Sequence, residues 1–203
     1  MIYFLGGPPR IGKSIIANLI TRDYGISSLS TDSLGAILES ILDLEAAPGL
    51  FAVNRFNEMA ETDRIKLMME MPITRIEYQL AENAAVWQAV GPLTMREQDE
   101  DRDLVVEGVA VLPELVAGLD GIDYRAVFVG NHSPENIRRS TLENDNDWMA
   151  HYSDAYIDAF AIFVAAMSSY VEKEASEYGF KYIEMDGKIF RDAVDEVVHS
   201  LIG

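Results

Sequence analysis

The chain has 203 residues, with 16 Lys plus Arg against 34 Asp plus Glu, a formal net charge of −18 and no cysteine. Apolar residues make up 49% and charged residues 25%, a balance that suits one globular unit with a real core and excludes a disordered chain. The negative field opposes polyphosphate chains and anionic lipid surfaces, so neither nucleic acid nor a membrane is an expected partner, and any anion site has to be built locally. Absence of cysteine rules out disulfides, thiolate metal sites and cysteine nucleophiles. The longest uncharged stretches, Asn83 to Met95 and Ala159 to Val171, are 13 residues each, short of the roughly 20 that a spanning helix needs. Met1 to Pro9 lacks the leading positive charge of an export signal, and a cytoplasmic location is expected.

In chain order, Ile2-Tyr3-Phe4-Leu5 is a short apolar run closed by Gly6-Gly7-Pro8-Pro9, which reads as a buried strand entering a loop. From Ser14 the apolar residues recur at helical spacing up to Tyr24-Gly25. Ile26 to Leu29 reads as a second strand, and the oxygen-bearing Ser30-Thr31-Asp32-Ser33 suits the cap of a helix running to about Leu44. Two helices are predicted next, Asn54 to Met71 and Ile73 to Val90, separated by Pro72. The acidic run Glu97 to Asp103 reads as a solvated turn before a third strand, Leu104 to Glu107. A short helix from about Pro113, a strand from Tyr124 to Val129 and a helix opened by Ser133-Pro134 come next. Tyr152 to Val171 marks a long helix face, Phe180 to Met185 a fifth strand, and Ile189 to Ile202 an amphipathic last helix. Five short apolar strands alternating with helices predict an α/β fold, a parallel sheet covered on both faces, in one domain spanning 1–203.

Gly7-Pro8-Pro9-Arg10-Ile11-Gly12-Lys13-Ser14 satisfies G-x-x-x-x-G-K-[ST], between an apolar strand and an amphipathic helix. Glycines let the backbone curl so that successive N–H groups point inward at a polyphosphate, and the helix after the loop adds its positive end. Lys13 is suited to the β and γ oxygens and Ser14 to Mg²⁺. Residues 1–14 carry Arg10 and Lys13 and no acid, a local positive spot in an acidic chain. The pattern predicts nucleotide binding and leaves the use made of the nucleotide open, since switches, motors and small-molecule kinases share it.

Together with Leu29-Ser30-Thr31-Asp32-Ser33-Leu34 and Leu104-Val105-Val106-Glu107-Gly108 through Pro113, this loop resembles the P-loop kinases related to nucleoside monophosphate kinases, and among them 2-phosphoglycerate kinase and its relatives. The resemblance implies a three-layer P-loop NTPase fold with strand order 2-3-1-4-5. It also implies a substrate cap made by a helical insertion over about 36–100 and a lid over about 131–150. ATP and Mg²⁺ are the implied cofactors, and a small hydroxyl- or phosphate-bearing molecule the acceptor. Where such kinases often carry a substrate-binding arginine, three positions after Asp32, this sequence has Gly35, so the acceptor stays unnamed.

Asp32, at the carboxyl end of the second strand, is a candidate base for the acceptor hydroxyl, the simpler alternative being a helix cap. Glu107 is a candidate Mg²⁺ partner by resemblance; the alternative is a strand end whose charge reaches water. Of Arg138 and Arg139, one falls where the resemblance places a cation on the transferring phosphoryl group; Arg138 is the candidate, against a pair of surface arginines. Gly187, in Asp186-Gly187-Lys188, stands where related kinases pack adenine. Arg55, Arg64, Arg75 and Arg96 in the insertion are most simply a solvated face. His132, His151 and His199 are not spaced as a ligand set. A phosphotransferase is the leading reading and a nucleotide-binding regulatory ATPase without an acceptor the second; monomer and homodimer are both left open.

Overall fold

A computed structural model describes residues 1–143 and 148–203. The sheet arises from the short runs of apolar residues: β1 (Ile2–Gly6) and β3 (Leu104–Gly108) are buried along their whole length, as strands covered on both faces must be. With β2 (Ser27–Ser30), β4 (Tyr124–Gly130) and β5 (Lys181–Glu184) they form a parallel sheet in the order β2-β3-β1-β4-β5, the order the resemblance implies. Gly6 pairs with Gly108 and with Phe128, and Ser30 pairs with Glu107, so β1, β2 and β3 finish within a residue of one level and β4 runs two residues further. In an open α/β sheet that edge is where ligands sit.

Helices cover both faces. α1 (Lys13–Tyr24) and α9 (Phe190–Ile202) touch each other and pack on the strands. α8 (Asp154–Glu177) lies along β4 and β5 with α6 (Pro113–Ala117) and α7 (Pro134–Leu142) against it. By length and composition α8 could cross a membrane, but its apolar face is spent on the core: Phe163, Val164, Met167 and Val171 are fully buried. α2 (Thr31–Ile41) comes directly after β2, and Ser30 is its cap, accepting from the Asp32 N–H at 3.2 Å.

The insertion departs from the predicted pair of helices. α3 (Ala52–Asn57) and α4 (Glu61–Glu70) are separate, with Ala60 extended before a first turn holding Glu61 and Asp63, the charges that favour a helix start. α5 (Pro72–Asp99) runs on through Gly91 and Pro92, taking in Glu97–Asp99 of what reads as a turn. Pro92 leaves only the carbonyl of Gln88, an exposed residue, without its helical donor, and α5 is also packed on α8 and, one turn before the proline, through Trp87 on Phe4 (ring centroids 5.6 Å apart). Arg102 folds back to ion-pair with Glu97 and Glu100. A 3-10 turn, Trp148–His151, precedes α8; the lid expected over about 131–150 includes 144–147, which lie outside the described residues.

Gly108 is where sheet and α2 come closest. Its φ is 142°, and a Cβ there would overlap Thr31 Oγ1. Gly108→Ala is therefore expected to cost about 2–4 kcal/mol from combined backbone strain and overpacking. A denaturant melt with the midpoint of the wild type would contradict that close approach.

Candidate functional site

At the carboxyl edge of the sheet lies a hollow of about 720 Å³, lined by residues 9–15 and by side chains from four other segments. Its floor is the turn between β1 and α1. Gly7 (φ 146°), Arg10 (φ 66°) and Gly12 (φ 92°) give this turn its curl. Gly7 has no room for a side chain, because a Cβ would overlap the Val129 carbonyl. α1 begins at Lys13, with no side-chain cap and no acid in its first turn, so its leading N–H groups are left to whatever occupies the hollow.

Lys13 is 6% exposed and its Nζ donates to the Pro8 carbonyl at 2.5 Å. Burial pulls its pKa down to about 8, against the opposing pull of the Asp32 and Glu107 carboxylates. An anion arriving beside this ammonium supplies the countercharge that burial denies it. Ser14 Oγ donates to Glu107 Oε1 at 2.9 Å. Glu107 is 4% exposed, so its charge does not reach water, contrary to the simpler reading of a solvated strand end. A hydroxyl and a buried carboxylate meeting beside the turn after β1 are hard oxygen donors, the kind Mg²⁺ takes, and the pair fits that ion.

Asp32 stands on the rim of the same hollow with its side chain exposed. Because Ser30 caps α2, the Asp32 carboxylate is not the cap that the sequence allowed for. It also lines a second cavity of about 190 Å³, between α2 and α5, and so does Val109. The two spaces meet at one carboxylate.

Arg138 requires a correction. Its Nε is 2.5 Å from Asp158 Oδ1 and its Nη2 3.9 Å from Asp154 Oδ1, so the guanidinium is turned to α8 and away from the hollow. Neighbours on a helix point about a quarter-turn apart, and it is Arg139, exposed, that lines the hollow. Gly187 (φ 69°) lines it too, in a turn joined to α7 by a hydrogen bond from Asn136 Nδ2 to Asp186 Oδ1.

Phe190 has a place in this hollow that its sequence pattern does not reveal. Counted by periodicity it belongs to the apolar face of the last helix, yet it is 47% exposed and lines the hollow. A Cβ on Gly12 would come within 2.9 Å of its ring. An exposed ring beside the turn after β1 offers a face for a planar group. His132 is taken up by Glu172 and Glu184, and among the described residues no group of three His, Asp or Glu is arranged to hold a metal.

No protein-family model matches the sequence, and no curated protein matches it either. Solved structures do. A shikimate kinase from Bacteroides thetaiotaomicron superposes with a TM-score of 0.51 at 12% identity, over 98% of this chain and 97% of that one. A structure described as a kinase candidate, from Chloroflexus aurantiacus, gives 0.50 at 12% identity, over 98% and 97%. The chain thus has the fold of the P-loop small-molecule kinases.

Proposed function

We propose that this chain is an ATP-dependent phosphotransferase that moves the γ-phosphoryl group to a hydroxyl of a small acceptor held beneath the insertion. One observation carries the reading: Asp32 belongs to the rim of both spaces, the large hollow over the phosphate-binding turn and the smaller cavity under α5. A switch protein has no use for a second compartment sharing a carboxylate with the first.

In this reading residues 7–14 hold the triphosphate, the main-chain N–H groups taking its oxygens and Lys13 giving up its bond to Pro8 for the β and γ phosphates. Ser14 and Glu107 would hold Mg²⁺, which would neutralise charge on those oxygens. The base lies toward Gly187 and Phe190. Asp32 accepts the proton of the acceptor hydroxyl while the new oxygen–phosphorus bond forms and the bond from the γ-phosphorus to the β–γ bridging oxygen of ATP breaks, releasing ADP. Arg139 faces the equatorial oxygens that gain charge. Segment 36–100 is the acceptor's cap, and a cytoplasmic supply of ATP is its natural setting.

ATP consumption with Mg²⁺, measured across a panel of small hydroxyl compounds, tests this reading. Consumption that depends on an acceptor and yields a phosphorylated product is expected. Acceptor-independent hydrolysis, unaffected by loss of the Asp32 carboxylate, would overturn it in favour of a regulatory ATPase.

A further inference from the structure

The cavity between α2 and α5 has a one-sided chemistry. Its charged lining is Asp32, Glu39 and Glu82, with no lysine or arginine among the residues that line it. Position 35 is a glycine, and a Cβ there would sit in ordinary contact with Val86 Cγ2 of α5, at 3.4 Å. The amides there are already committed. Gln79 accepts from Arg75 Nη2 at 3.3 Å and donates to Glu82 Oε1 at 3.3 Å and Asn83 Oδ1 at 3.1 Å; Asn83 Nδ2 donates to the Val109 carbonyl at 2.8 Å. Arg75 stays behind this chain of amides, its guanidinium 4.6 Å from the Phe56 ring centroid and 4.4 Å from that of Phe163.

The hydrogen-bonding capacity that remains is therefore mostly on the carboxylates, which accept. Burial and the neighbouring Glu39 charge raise the Glu82 carboxyl to about 7, against weaker opposing effects of Gln79, Arg75 and the Val53 backbone. A carboxylate or phosphate entering here would meet the charges of Asp32 and Glu39 and, above about pH 7, that of Glu82 as well. An ammonium group would bring positive charge and three donors. At about 30 Å³ per water, 190 Å³ is the room of about six waters, enough for a small molecule.

We infer that the acceptor compartment takes a small alcohol bearing a protonated amine, with the amine toward Glu39 and Glu82 and the hydroxyl toward Asp32. The inference rests on the phosphotransferase reading and narrows it, turning away from phosphorylated acceptors such as phosphoglycerate.

Ethanolamine, ethylene glycol and glycolate differ at one end only and serve as probes. Each is titrated into the full ¹⁵N-labelled chain while the side-chain amide signals of Gln79 and Asn83 are monitored, in the wild type and in Glu39→Gln and Glu82→Gln. Ethanolamine is expected to bind at least tenfold more tightly than ethylene glycol and to lose about tenfold in each variant, with glycolate leaving the signals unmoved. The Glu82→Gln fold is not at risk from the lost charge. A carboxyl raised from the ordinary 4.5 to about 7 in the folded state gives stability that is present at low pH and lost as pH rises through 7, and glutamine has none to lose at pH 8.

Glycolate binding as tightly as ethanolamine, ethanolamine affinity unchanged in both variants, or no shift from any probe would overturn the inference. The phosphotransferase reading fails separately: ethanolamine binding at these amides, with no amine-bearing alcohol phosphorylated, leaves the compartment assigned and removes the reaction. Turnover of anionic acceptors does the reverse.

Discussion

Lys13→Met is expected to abolish phosphoryl transfer and to weaken nucleotide binding about 10- to 100-fold by calorimetry, the equivalent of one or two charge-assisted hydrogen bonds. The same variant should be at least as stable as the wild type without nucleotide. Lys13 is buried with a carbonyl as its acceptor, the Asp32 and Glu107 carboxylates offset only part of the lost hydration, and its pKa is lowered from 10.5 to about 8. The unfolded chain is then the better proton binder between those values, so wild-type stability rises from pH 8 to pH 10.5 and is flat, at its lower level, below pH 8. Methionine removes that rise, worth on the order of 3 kcal/mol. A variant that binds nucleotide as the wild type does would remove Lys13 from the site. One that unfolds early at pH 7 would mean that the lysine supports the turn itself.

Asp32→Asn is expected to lower turnover about 100- to 10,000-fold, the range of a general base, while nucleotide affinity stays within about threefold. Its melting temperature should match the wild type, because the cap of α2 is the Ser30 hydroxyl and the Asp32 N–H that donates to it survives the substitution. Ser30→Ala is the contrasting case: loss of the cap costs about 1 kcal/mol with the carboxylate left in place. If Asp32→Asn instead loses stability and keeps its turnover, the aspartate serves α2 and the proton goes elsewhere.

The strands and the glycine-bent turn after β1 were legible because their signals are local. Apolar runs such as Ile2 to Leu5, ended by glycine, have few alternatives to a buried strand, and G-x-x-x-x-G-K-[ST] fixes its own geometry. Which arginine of α7 faces the hollow was not legible, since Arg138 and Arg139 are adjacent and the choice depends on how α7 rolls against α8, where Asp158 waits for Arg138. The extent of α5 was hidden by Gly91-Pro92, a pair that reads locally as a helix end but that the helix runs through. Phe190 hides in an amphipathic pattern that is otherwise correct.

The insertion arginines show the same limit most clearly. Arg64 and Arg75, which read as part of a solvated face, are 8% and 6% exposed. Their partners are rings far away in the chain: Tyr152 and Tyr156 for Arg64, Phe56 and Phe163 for Arg75. Only the folded chain brings those rings to them.

Holding guanidinium groups against ring faces has a consequence in solution. Contacts with an aromatic quadrupole, shielded from water, are little weakened by dissolved ions, whereas surface charge pairs are screened within about 10 Å at 0.1 M salt. In a chain of −18, added salt relaxes repulsion among the surface carboxylates and leaves the junction of α4 and α5 with α8 untouched. High ionic strength is therefore expected to relieve the repulsion without loosening the contacts that hold the insertion against α8.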